Sequence, residues 1–99
     1  MMPDSERFIA SLDDGAPPAG LSPPLEALWY LARDDWDRAH RIAQDDPGRD
    51  AAWVHALIHR IEGDEWNAGY WYRRAGRPHA QNSTNDEWRE ITEALCSDG

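Results

Sequence analysis

The chain has 99 residues, a net charge of −9, and 29% charged against 40% hydrophobic residues. That length supports one hydrophobic core and excludes two, and the composition excludes a disordered chain. The charge argues against nucleic acid or an anionic membrane surface as a partner. The charge is also uneven, and every one of the ten basic residues is Arg. Residues 1–50 hold 11 acids against 5 Arg, residues 51–80 hold 3 against 4, and residues 81–99 hold 5 against 1. Cys96 is the single cysteine, so no intrachain disulfide can form, which fits a reducing cytoplasm. No run approaches the roughly 18 apolar residues that span a bilayer. The opening MMPDSERFIASLDDG lacks the basic and apolar regions of a secretory signal. A cytoplasmic location is expected.

In chain order, Phe8, Ile9 and Leu12 give residues 1–14 an amphipathic turn or two that can dock on a core. Gly15 to Pro24 is rich in Pro and Gly and reads as an extended connector. Ser22 offers an N-cap with Pro23 at the first helical position, where its missing N–H costs nothing. Leu25, Leu28, Trp29 and Ala32 then predict a helix to about Arg33. Asp35 caps a second helix through Trp36, Ala39, Ile42 and Ala43, ending near Asp46-Pro47-Gly48. The neighbouring acids Asp34 and Asp37 read as helix-start residues that favour the dipole.

The stretch from Asp50 to Arg77 predicts a helical hairpin. Trp53, Leu57 and Ile61 recur at four-residue spacing, flanked by Val54 and Ile58, with Asp50 as the expected N-cap. Gly63 can take the left-handed conformation that ends a helix, and Asp64 can cap the next. On that next helix Ala68, Trp71, Tyr72 and Ala75 share a face, and Ala56 with Ala68 allows close approach. After a loop over Pro78 to Asn82, Thr84 with Glu87 has the capping-box pattern that opens a last helix through Trp88, Ile91, Thr92 and Leu95. Ser97-Asp98-Gly99 reads as a frayed end.

Ala27, Leu28, Asp35 and Ala39 recur as Ala56, Leu57, Asp64 and Ala68 at an offset of 29 residues. A repeated hairpin implies stacked pairs sharing one core, with the last helix as a cap. The Gly63-Asp64 pair, preceded by Ala56 and followed by Ala68, Tyr72 and Ala75, is similar to the tetratricopeptide consensus. The run from Ala68 to Ala75 resembles the second helix of Sel1-like repeats, where an aromatic-Tyr-Arg-x-Ala run is common. The segments AWVHALIHRIEGD and YWYRRAGRP also resemble an uncharacterised family of small proteobacterial proteins, to which no activity attaches. The repeat resemblance covers Leu25 to Arg77 and implies a fold rather than an activity. It departs from the pattern in its shorter period, and in Ala43, which stands where an aromatic is expected. The expected fold is all-α: a residue 1–21 arm and connector, then a tetratricopeptide-like domain over 22–96 built of two stacked antiparallel helical hairpins plus a C-terminal capping helix.

Two groups of residues are candidate sites. Trp66, Tyr70 and Arg73 form a second stripe on the helix that carries Trp71 and Tyr72, and Arg74 and Arg77 extend it. Either the last helix covers this stripe, or it is displayed with the Trp-Tyr-Arg mix enriched at binding hot spots. The three Arg suit the negative end of the helix dipole, and they can also form a basic notch for an acidic protein or peptide partner. His55, His59 and Glu62 share a helix face opposite the Trp53–Leu57–Ile61 stripe. That spacing can present two imidazoles and a carboxylate to one metal ion, or simply pack against the neighbouring hairpin. His40 and His79 have no partner discernible in the sequence. Paired-carboxylate, Ser-His-Asp and Cys-His catalysis and a Gly-rich phosphate loop have no support here, so no enzyme activity and no cofactor are expected. The reading is a small interaction module or self-associating helical protein, with metal or small-molecule binding on the His face as the alternative.

Overall fold

The computed structural model describes residues 4–96, so the Ser97–Gly99 end lies outside the described residues. Helix α1 (Asp4–Ala10) runs into a 3-10 turn at Ser11–Asp13, and the connector leads to α2 (Pro23–Ala32) and α3 (Trp36–Asp45). Then come α4 (Arg49–Ile61), α5 (Glu65–Ala75) and α6 (Thr84–Leu95), with no strand among the described residues. The all-α class read from the sequence holds. No helix among the described residues is long and apolar enough to cross a membrane.

One turn is used three times. At the end of α2, Asp35 N–H reaches the Tyr30 carbonyl and Asp34 N–H the Leu31 carbonyl. Twenty-nine residues on, Asp64 N–H reaches His59 and Gly63 N–H reaches Arg60; after α5, Arg77 reaches Tyr72 and Gly76 reaches Arg73. These paired bonds satisfy carbonyls that a helix end leaves free, and they need a left-handed residue to reverse the chain. Gly63 (φ 80°) and Gly76 (φ 71°) supply it, and in the first copy Asp34 does so at φ 63°. Asp34 therefore ends α2 rather than opening α3, as its cluster of acids had suggested. The next residue then caps the following helix: Asp35 accepts from Arg38 N–H and Asp64 from Asn67 N–H.

Two caps fall one or two residues earlier than the sequence suggests. Asp46 accepts from Gly48 N–H at 2.8 Å, a side-chain turn that delivers the backbone into α4 with Gly48, not Asp50, at the N-cap. Asp50 sits in the first turn, where its charge still suits the dipole. At α6 the cap is Ser83, which accepts from Asp86 N–H at 3.0 Å, so Thr84 is the first helical residue and the Thr84–Glu87 box does not form. Glu87 is turned into the core instead.

Helix α4 is central, touching α2, α3, α5 and α6. Every residue from Ala51 to Ile58 is buried, so the predicted one-sided stripe is wrapped on nearly all faces. Ala27, Leu28, Ala39, Ala56, Leu57 and Ala68 are all fully buried, and alanines at the contacts let α2 pack on α3 and α4 on α5. Helix α6 closes over α2 and α4, with Trp88 Nε1–H donating to the Leu28 carbonyl at 2.9 Å. The arm docks on this core: Phe8 is buried 6.0 Å from the Trp88 ring, and Trp29 Nε1–H donates to Ser11 Oγ.

Candidate functional site

On the outer face of α5, Trp66 is 78% exposed and Tyr70, one turn later, 40% exposed. Helix α6 does not cover them, because Trp88 and Ile91 direct it toward α2 and α4 instead. Arg73 and Arg74 follow in the last turn, three and four residues beyond Tyr70 on the same face. Arg74 donates to the Tyr70 hydroxyl at 3.3 Å and lies over the Trp71 ring. Arg77 departs from the group, since its guanidinium lies 3.6 Å over the Trp53 ring. Among the described residues, none of these three Arg forms an ion pair with a carboxylate, even in so acidic a chain.

Directly beneath Trp71 lies a histidine group. His55 on α4 stacks on Trp71 with ring centroids 3.9 Å apart, and His59, one turn along, stacks on its other side at 5.0 Å. His40 reaches across from α3, edge-on to both rings, with its Nε2 3.0 Å from Nε2 of His55. Glu62 lies at the margin of this group, its Oε1 3.4 Å from Nδ1 of His59, with Asp64 Oδ2 at 3.9 Å. The sequence reading thus found two of the three histidines and missed His40, whose approach depends on how α3 meets α4. His55 is only 3% exposed, not on an open face. Burial, together with its neighbours His40 and His59, pushes its pKa down to about 3, so the ring is neutral at pH 7. The two candidate sites are therefore adjacent layers, Trp71 separating the histidines from Arg74.

A third constellation escaped the sequence reading. Glu87, 1% exposed, accepts from Tyr72 Oη–H at 2.6 and 2.7 Å, from Trp53 Nε1–H at 3.2 Å and from Arg60 at 2.7 Å. Arg60 also donates to the Asn82 carbonyl. Three helices meet on this one carboxylate, which makes it a tie between α4, α5 and α6, with Arg60 Nε the one donor of the group left buried without a partner among the described residues. The one available signal was spacing: Glu87 stands four residues before the buried Ile91, on the same helix face. His79, which had no partner in the sequence, sits 2.7 Å from Glu65. Compared with known proteins, the chain matches no family model, no curated protein and no solved structure.

Proposed function

We propose that the protein is a small interaction module whose recognition face is Trp66, Tyr70, Arg73 and Arg74, and whose partner is an acidic segment of another protein. One observation carries this: a 78% exposed Trp in line with a half-exposed Tyr and two Arg without ion pairs. Large aromatics normally contribute to a core, and Trp, Tyr and Arg are the residues enriched where binding energy concentrates. Carboxylates of a partner would find guanidinium groups that the chain's own acids leave unpaired, beside an apolar anchor point. The tetratricopeptide-like reading supports the same role. The two copies share buried Ala-Leu pairs and identically bonded turns, and stacked hairpins of this type present a helix face to peptides.

The test is a titration of a short labelled Asp/Glu peptide carrying a single Leu, followed by anisotropy, with light-scattering mass on the protein alone. Binding should weaken with salt. It should also drop by at least about tenfold, some 1.4 kcal/mol, in Trp66→Ala and in the Arg73→Glu/Arg74→Glu pair. Undiminished binding by the charge-reversed protein would overturn the proposal. So would a wild-type dimer that Trp66→Ala converts to a monomer, which would assign the stripe to a second copy.

A further inference from the structure

The histidine group beneath Trp71 has a geometry that stacking alone does not require. One nitrogen from each of His40, His55 and His59 lies within 4.8 Å of the other two, and Nε2 of His40 stands 3.0 Å from Nε2 of His55. Nitrogens bound at 2.0–2.1 Å around a tetrahedral ion stand about 3.3 Å from one another, so the widest gap needs to close by about 1.5 Å. His40 and His59 are the partly exposed members and are free to supply that movement by side-chain rotation.

The hydrogen bonding around these rings is incomplete. Nδ1 of His55 and Nδ1 of His59 are buried without a hydrogen-bond partner among the described residues. A buried polar atom left unpaired opposes folding, which makes three converging imidazoles a costly way to fill space. Carboxylates of Glu62 and Asp64 stand beside Nδ1 of His59, out of hydrogen-bond alignment but placed as the groups that orient a liganding imidazole through its other nitrogen. Facing helices supply the ligands, an i,i+4 pair from α4 and a single residue from α3, as in metal sites built inside helix bundles.

From this convergence we propose that His40, His55 and His59 bind a divalent transition-metal ion of the zinc class. Three imidazole nitrogens and no thiolate select zinc, copper, nickel or cobalt over calcium and magnesium, which need oxygen. Zinc suits the group best, since it accepts a tetrahedral set of three imidazoles with water in the fourth position. The partly exposed rims of His40 and His59 admit that water, and the net charge of −9 draws cations to the surface. Glu62 is a positioning residue here, acting through His59 and not as a ligand.

The experiment uses the untagged, chelator-treated protein and Zn²⁺ in competition with a chromophoric chelator, with Co²⁺ absorption as a second readout. One equivalent of Zn²⁺ should bind, and Co²⁺ should give the intense visible bands of a tetrahedral site. His40→Ala and His59→Ala should each weaken binding by more than about 100-fold. Glu62→Gln should weaken it by about 10-fold, as loss of an orienting carboxylate does elsewhere. His79→Ala should change nothing. Absence of a stoichiometric site in wild type would overturn the proposal without any variant having to fold. Equal affinity in wild type, His40→Ala and His59→Ala, or loss of binding in His79→Ala, would overturn it too. None of these results bears on the Trp66 face, so the two proposals fail separately.

Discussion

Removing the Glu87 side chain would leave the Trp53 indole N–H, the Tyr72 hydroxyl and the Arg60 guanidinium facing a hole, two of them deep in the core. Breaking a buried pair by deleting one partner typically costs 3–5 kcal/mol, because a charge stays behind without compensation. Glu87→Ala is therefore expected to lose about 3–5 kcal/mol in urea unfolding, and Glu87→Gln, which keeps an acceptor oxygen, less. A loss under about 1 kcal/mol for Glu87→Ala would show that water replaces the carboxylate freely. Tyr72 gives the same network a pH signature. Burial first, then its bond to Glu87, raises the Tyr72 hydroxyl above its ordinary 10.0. Below pH 10 both folded and unfolded chains hold this proton, and the stability it contributes is fully present. As pH rises past 10 the unfolded chain ionises first, so stability falls. Denaturant midpoints between pH 9 and 11 should decline in wild type and decline less steeply in Tyr72→Phe.

At the scale of the helix, the repeated turn identifies where the chain departs from its own pattern. Asp34 holds a left-handed backbone that Gly63 and Gly76 adopt without a side-chain penalty, so Asp34→Gly should stabilise, by up to about 1 kcal/mol. Gly69 is the reverse case, a glycine inside α5. An added Cβ would meet Arg73 and His79 atoms at 3.5 and 3.6 Å, ordinary contact distances. Gly69→Ala should gain roughly 0.5–1 kcal/mol from the lower entropy of the unfolded chain. Thermal melts of the two variants check both, and a destabilised Gly69→Ala would mean that α5 requires close approach at that point. The helices and the Gly63-Asp64 turn were legible because that pair and the four-residue apolar spacing act within a single helix and its cap. The start of α6 was not, because Ser83 with Asp86 and Thr84 with Glu87 fit the capping pattern equally well. What separates them is the pull of the core on Glu87, a tertiary contact.

For the whole molecule, the same distinction divides what the sequence discloses of the sites. The stripe of Trp66, Tyr70, Arg73 and Arg74 follows from spacing on one helix, but its exposure depends on where α6 settles. The pair His55 and His59 follows from spacing as well, whereas His40 joins them only through the register of α3 on α4. The third histidine of the candidate metal group needed two elements to meet in a particular register, and no residue pattern within one helix signals that. The bond from Trp88 to the Leu28 carbonyl is the plainest such meeting, joining residues 60 apart in sequence. Its consequence concerns time. Contacts between neighbouring helices close short loops and form early, whereas the contact of α6 with α2 must close a long one and is favoured to form last. The seam of α6 with α2 and the Phe8 arm should thus be the first part of the core to open. Hydrogen exchange should find the amides of α6 less protected than those of α4.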